Sequence, residues 1–182
     1  APSQHTTPEP VTLHRLLSDM AAAGVTHAAM EASSHGLDQR RIDGVRLAAA
    51  GFTNFTQDHL DYHATFEAYF DAKAGLFARV LPDDGIAVIN MHDRRGSDMA
   101  EIARARGQSV LMVGHAAEDD LRVLGQRFDA TGQDLRFAWK GTAHMARLHL
   151  IGGFQASNVL VAAGLAIAAG EDAEAVFTYS PG

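Results

Sequence analysis

The stretch from Leu47 to Lys73 constrains the fold more than any other part of the chain. An apolar run, Leu47 to Phe52, feeds Thr53 and Asn54 and then a dense group of ligand-type side chains, Asp58, His59, Asp61 and His63. Thr65 follows as a good helix N-cap, with Phe66, Tyr69, Phe70, Leu76 and Phe77 on one face to about Val80 and a single lysine, Lys73, within the pattern. That order reads as strand, loop and helix, with charged chemistry carried on the C-terminal end of the strand. Doubly wound sheets bind their ligands at that end.

The flanking sequence supplies more units of the same kind. Pro2, Pro8 and Pro10 make the first residues an extended loop, and Thr12 is placed to cap a helix in which Val11, Leu13, Leu16, Leu17 and Met20 recur at helical spacing up to Gly24. Val25 to Met30 reads as a short strand delivering Glu31, Ser33, Ser34 and His35 to its end, with Gly36 breaking it. Gln39, Arg40 and Arg41 fall in a short polar turn ending near Gly44. After the turn signal Pro82-Asp83-Asp84-Gly85 comes a buried strand to Asn90, then a helix over Ser97–Arg106 closed by Gly107, and a strand over Ser109–Val113.

The pattern then changes. Leu121–Phe128, Asp134–Trp139 and His144–Ile151 alternate apolar and polar residues around Thr131-Gly132 and Gly141-Thr142, the signature of an antiparallel meander with one wet face. An Ala-rich helix follows over Ser157–Ala169 with Gly170 at its end, and another begins at Asp172. The expected architecture is α/β: a mostly parallel sheet flanked by helices, with a small antiparallel patch at about 120–151, all within one domain spanning 1–182.

Composition excludes several function classes. A net charge of -7 argues against general nucleic-acid binding, which needs a basic face. Apolar content of 47% with 20% charged residues is globular rather than disordered. With no cysteine there is neither a disulfide nor a thiolate metal site, compatible with a reducing cytoplasm. The longest apolar run, Val159 to Ala169, is far short of the roughly 20 residues a membrane span requires. No membrane insertion is expected, and a monomer is.

Taken alone, the polar residues leave two readings open. Glu31 and His59, each just after an apolar run, suit a divalent cation if the two runs are neighbouring parallel strands, with Asp58, Asp61 and His63 adding donors. The other reading makes Asp58 a cap, His59 a hydrogen-bonded half-buried side chain, and the acids solvated. Lys73 on an amphipathic helix is ordinarily a surface cation. Gln39, Arg41, Ser33 and Ser34 could hold a phosphate or carboxylate, or solvate a loop. Thr6 and Thr7 are generic loop residues in isolation, and Asn158 suits a helix N-cap.

Motifs along nearly the whole chain resemble one family. Thr6-Thr7-Pro8, Met30-Glu31-Ala32-Ser33-Ser34-His35-Gly36-Leu37, Gln39-Arg40-Arg41, the run from Phe52 through Asp58-His59 to Asp61-Tyr62-His63, Ala72-Lys73 and Gly153-Phe154-Gln155-Ala156-Ser157-Asn158 occur in that order. Together they resemble the central ATPase domain of the Mur ligases, nearest the branch adding the third residue of the peptidoglycan stem peptide. The Glu31–Lys73 block is the specific part; the Asn158 motif is shared with folylpolyglutamate synthases.

The resemblance implies ATP-dependent amide formation. The D-glutamate carboxylate of UDP-MurNAc-L-Ala-D-Glu is phosphorylated by ATP, and the amine of a diamino acid, meso-diaminopimelate rather than L-lysine, attacks the acyl phosphate. It implies Mg2+ ligated by Glu31, His59 and a carbamylated Lys73, with His59 and Lys73 as the catalytic pair. Thr6, Thr7, Ser33, Gln39 and Arg41 resemble the residues holding the UDP-MurNAc-dipeptide, and Asn158 the residue near adenine.

The chain also departs from the family pattern. His5 stands where Asn is usual, Ala32 replaces a common Val, His92 occupies a position commonly Asp, and Gln155 replaces the Asn of some relatives. No GxxGKT/S phosphate loop occurs in the 182 residues. The expectation is a chain lacking the first strand and phosphate loop of that domain and inactive alone. Two other classes stay open beside it: a metal-dependent hydrolase built on Asp58, His59, Asp61 and His63, and a non-catalytic fragment that binds sugar nucleotides.

Overall fold

A computed structural model describes residues 6–55 and 62–178. Asp58, His59, Asp61 and His5 lie outside the described residues. The chain divides into two compact units, one from Ala1–Leu47 and Thr56–Pro82, the other from Ala48–Phe55 and Asp83–Gly182.

The second unit is a six-stranded sheet in sequential order. β1 (Ala49–Phe52), β2 (Ile86–Asn90), β3 (Ser109–Gly114) and β4 (Leu121–Asp129) pair in parallel, while β4, β5 (Gly132–Trp139) and β6 (Thr142–Leu148) form the antiparallel meander. This is the mixed sheet expected. β2 is an unbroken apolar run because both its faces are covered: α4 (Gly96–Ala105) packs on it and on β3, as does α5 (Gln155–Ala168). Val88, Val113, Leu121, Leu135, Phe137 and Leu160 form the core around α5. Gly164 lets that helix close on the sheet, since a Cβ there would sit 2.7 Å from Val88 and 3.2 Å from Leu111.

The hairpin joining β5 to β6 turns on Lys140 (φ 46°) and Gly141 (φ 87°), two successive positive φ angles of the kind a two-residue primed turn demands. Leu124 is the extra residue where the β4–β5 register slips between Val123 and Gly125. α6 (Ala173–Thr178) follows, its Phe177 ring edge-on to Phe137 at 5.0 Å.

The first unit holds α1 (Pro10–Ala22), α2 (Ser34–Asp38) and α3 (Phe66–Gly75), the last running into a π-helical turn, Leu76–Val80. Several expectations fail here for physical reasons. α1 begins at Pro10 with Glu9 at the N-cap position, so Thr12 is not the cap. Proline at the first helical position gives up an N–H that has no helical partner anyway. Val25–Met30 is exposed, forms no helix or strand and joins no strand among the described residues; β1 is paired only to β2. Without a neighbour to accept its backbone bonds, an apolar run does not become a strand. Gly36 does not break an element but lies inside α2, where a Cβ would meet the Thr7 side chain at 2.7 Å. Ser33, not Gly36, marks the boundary, accepting the Gly36 amide as N-cap. Thr65 caps α3 as its sequence suggests, accepting from the Ala68 amide at 3.1 Å.

Candidate functional site

In the first unit the chain between Thr7 and Arg41 is tied to one hydroxyl. Thr7 is fully buried, and its Oγ1 donates to the Glu31 carbonyl at 3.0 Å and accepts from the Ser33 amide at 2.9 Å. It also meets Ser33 Oγ at 3.0 Å. This knot holds the segment that ends at Glu31 against the start of α2. The Glu31 side chain is exposed at its edge. Thr6, next to the knot, is exposed as well.

Arg41 is the second anchor. It is buried to 7% exposure, which a guanidinium tolerates only when its donors are satisfied. Nη1 donates to the Thr7 carbonyl at 2.9 Å, Nε to Gln39 Oε1 at 2.9 Å, and Nη2 lies 3.2 Å from the Glu9 carboxylate. The Gln39 side chain, itself exposed, is therefore gripped at its oxygen end. At its nitrogen end Nε2 donates to the Tyr62 hydroxyl at 3.2 Å, and that hydroxyl donates to Asp38 Oδ2 at 2.9 Å. Arg79 ties the base of the same loop, donating to Asp43 and, at 2.9 Å, to the Leu37 carbonyl.

A file of rings leads from this loop to α3. The Tyr62 ring lies 3.9 Å from His35 and edge-on to His63 at 4.8 Å, and His63 lies 5.3 Å from Tyr69. Lys73, half-buried one turn further along α3, has Nζ 5.4 Å above the Tyr69 ring. His63 is 5% exposed and packed among three rings, so it is a core side chain rather than an open ligand. That weakens a hydrolase built on the Asp58–His63 cluster. No group of three or more His, Asp or Glu residues is arranged to hold a metal among the described residues.

Thr6, Thr7, Ser33, Gln39, Arg41, Glu31 and Lys73 all lie in the first unit; sequence reasoning gave Asp38 no role and named His35 and Tyr62 only as members of motifs. The hydrogen bonds of Tyr62 to residues 23 and 24 positions away leave no periodic trace.

Asn158 belongs to the second unit. It is inside α5, not at its cap: the helix starts at Gln155, and the Asn158 amide donates to the Phe154 carbonyl at 3.2 Å. Its side chain lies 3.4 Å from Gln155 Oε1. At the C-terminal ends of the parallel strands of this unit, Asn90 donates to the Thr53 carbonyl at 2.6 Å and accepts from the His92 amide at 3.1 Å. The His92 and His115 rings face each other at 4.5 Å. Burial, and then His92, lowers the pKa of His115 from its ordinary value. Burial raises that of Asp119, whose carboxylate accepts the Ala116 amide at 2.8 Å. Arg94 and Arg95 stand over the Phe55 ring at 5.6 and 5.7 Å.

Comparison with known proteins places the chain in a family. The chain is 53% identical over 171 residues to UDP-N-acetylmuramoyl-L-alanyl-D-glutamate--2,6-diaminopimelate ligase of Caulobacter vibrioides, covering 94% of this chain and 35% of that protein. The protein of that name from Bradyrhizobium diazoefficiens is 45% identical over 175 residues, covering 94% of this chain and 36% of the relative. The chain thus spans about a third of the length of the curated relatives it matches. A solved structure of a ligase with that name superposes with a TM-score of 0.85 at 31% identity, covering 98% of this chain and 38% of that one. MurF from Acinetobacter baumannii shares the fold, with a TM-score of 0.63 at 16% identity over 74% of this chain and 30% of that one. Residues 1–166 match the family model described as Mur ligase middle domain. With that match across most of its length, the chain is a member of the Mur ligase middle-domain family.

Proposed function

We propose that this chain is the middle domain of a ligase that joins meso-2,6-diaminopimelate to the D-glutamate of UDP-MurNAc-L-Ala-D-Glu at the expense of ATP, a cytoplasmic step in building peptidoglycan. The observation that carries the reading is the 53% identity to a diaminopimelate ligase across 94% of the chain. In the proposed reaction the D-glutamate carboxylate attacks the terminal phosphorus of ATP, releasing ADP and leaving an acyl phosphate. The diamino acid's amine then attacks the acyl carbon, forming the amide and expelling inorganic phosphate.

The chain's own residues fit parts of that chemistry. Thr6 and Gln39 are exposed, and we assign them to the nucleotide-sugar peptide directly, with Ser33 beside them. Thr7 and Arg41 act from behind, by holding the segments that present those groups. Glu31 offers an exposed carboxylate, an oxygen donor suited to a hard cation. An ammonium at Lys73 cannot ligate a cation. Its carbamate can, since reaction of the neutral amine with CO2 forms an N–C bond, releases one proton and leaves one negative charge shared over two oxygens. Glu31, His59 and carbamylated Lys73 would hold Mg2+, which when bound offsets the charge that builds where phosphate meets carboxylate. Asn158 is assigned to the adenine.

The 182 residues contain no GxxGKT/S phosphate loop. Grip on the triphosphate therefore falls to other parts of the full-length protein, and the isolated chain should not turn over. The test is phosphate release by the full-length protein with ATP, UDP-MurNAc-L-Ala-D-Glu and diaminopimelate. Release should require all three; metal-dependent hydrolysis without ATP would replace the ligase reading with the hydrolase one.

A further inference from the structure

The hydrogen bonds around Gln39 fix more than its position. An amide side chain can be turned either way, presenting a carbonyl or an NH2, and only its partners decide. Here both ends of the network are residues whose polarity is unambiguous. The Arg41 guanidinium has donors and no acceptor, and it reaches Gln39 through Nε at 2.9 Å and Nη2 at 2.5 Å. The Asp38 carboxylate has acceptors and no donor when ionised, and it takes the Tyr62 hydroxyl proton at 2.9 Å. With its proton committed, the Tyr62 oxygen can only accept, and Gln39 Nε2 donates to it at 3.2 Å. Arg41 therefore holds the Gln39 carbonyl from one side, and Tyr62 holds one of its two N–H groups from the other.

What remains for a ligand is a single N–H. No hydrogen bond to the second Nε2 proton is found among the described residues, and the Gln39 side chain is exposed. The Tyr62 ring is itself held, tilted against His35 at 3.9 Å and edge-on to the buried His63 at 4.8 Å. We infer that Tyr62 and Asp38 are positioning residues that lock Gln39 as a one-donor, no-acceptor contact, so that the ligand atom docked there is an acceptor oxygen of a carboxylate or phosphate. This rests on the ligase reading, in which Gln39 touches UDP-MurNAc-L-Ala-D-Glu. It adds to that reading the polarity of the contact and the residues that set it.

The experiment uses the full-length protein with Tyr62→Phe, which keeps the ring against His35 and removes only the hydroxyl. The loss of one neutral hydrogen bond's worth of orientation should raise KM for UDP-MurNAc-L-Ala-D-Glu about fivefold. kcat and the KM values for ATP and diaminopimelate should stay at wild-type values, a split that general destabilisation would not give. Asp38→Leu should reproduce the effect. Gln39→Glu, which replaces the N–H with an acceptor, should weaken binding of the same substrate by calorimetry at least tenfold. Repeating that titration with UDP-MurNAc-L-Ala assigns the acceptor: weakening confined to the dipeptide means the D-glutamate carboxylate, and weakening of both ligands means a phosphate, either result supporting the locked donor. An unchanged KM in Tyr62→Phe, a uniform change in all kinetic constants, or wild-type binding by Gln39→Glu overturns it. Wild-type protein that fails to bind the substrate at all removes the ligase reading and this inference together. Wild-type binding beside an unaffected Tyr62→Phe variant removes this inference alone.

Discussion

Replacing Thr7 with valine tests the knot on which the first unit depends. The substitution keeps the shape of a fully buried side chain that packs against Gly36, and it deletes only the hydroxyl. Three interactions disappear: donation to the Glu31 carbonyl, acceptance from the Ser33 amide, and the contact with Ser33 Oγ. The Ser33 amide dominates, because a half-buried N–H left without an acceptor costs about 1–3 kcal/mol, whereas the Glu31 carbonyl at the exposed edge can turn to water. Offset slightly by the extra buried methyl, the net loss should be about 2 kcal/mol. For a chain of this size that corresponds to roughly 4–8 °C in Tm. Urea unfolding should show a lowered midpoint with an unchanged m value, and hydrogen exchange at the Ser33 amide should accelerate. Thr7→Ser keeps the oxygen and should cost less than Thr7→Val. If valine is tolerated within about 0.5 kcal/mol, or serine is the worse of the two, the knot is held by packing and the hydrogen-bond account is wrong.

Other perturbations test the scaffold and the strand ends. Gly164→Val places a branched side chain where a Cβ already meets Val88 at 2.7 Å, and it should destabilise the second unit by about 2–3 kcal/mol in chemical unfolding. Thr65→Ala removes the acceptor for the Ala68 amide and should cost about 1 kcal/mol, with fraying at the start of the helix that carries Lys73 seen by hydrogen exchange. His115, whose ring lies 4.5 Å from that of His92, titrates below its ordinary value of 6.5 because it is partly desolvated and His92 is close by. Its folded pKa is depressed, so it costs stability as pH falls through 6.5 toward that lower value, and nothing above it. His92→Ala removes one cause, so the NMR titration midpoint of His115 should move up toward 6.5; an unmoved midpoint would mean that His92 contributes nothing to the shift.

Much of the second unit was legible because its elements are local. β2 announces itself as an unbroken apolar run, the meander by its alternation, and its second turn by Gly141, although that turn falls at Lys140-Gly141, one residue before the expected Gly141-Thr142. The first unit was harder, because its boundaries are set by contacts between distant residues. Val25–Met30 has a strand's composition but no pairing partner among the described residues. Gly36 looks like a breaker, yet it is the only residue type that fits under Thr7. Asn158 has cap chemistry but sits inside α5, because the helix begins earlier, at Gln155. The motif residues of the candidate site were readable as a set. Their division of labour was not: nothing in the spacing of Thr7, Gln39 and Arg41 says that the first and last face inward and only Gln39 faces out.

Lys73 is where the proposed chemistry and the fold meet, and its modification is the most direct test of the account. Full-length protein equilibrated with 13C-bicarbonate should show one slowly exchanging carbamate carbon signal that is absent in Lys73→Ala. That variant should also lose ATP- and UDP-MurNAc-L-Ala-D-Glu-dependent phosphate release, with activity partly restored by a short carboxylic acid added to the medium. A Lys73→Ala protein that ligates diaminopimelate at the wild-type rate would contradict the account, whatever the state of the lysine.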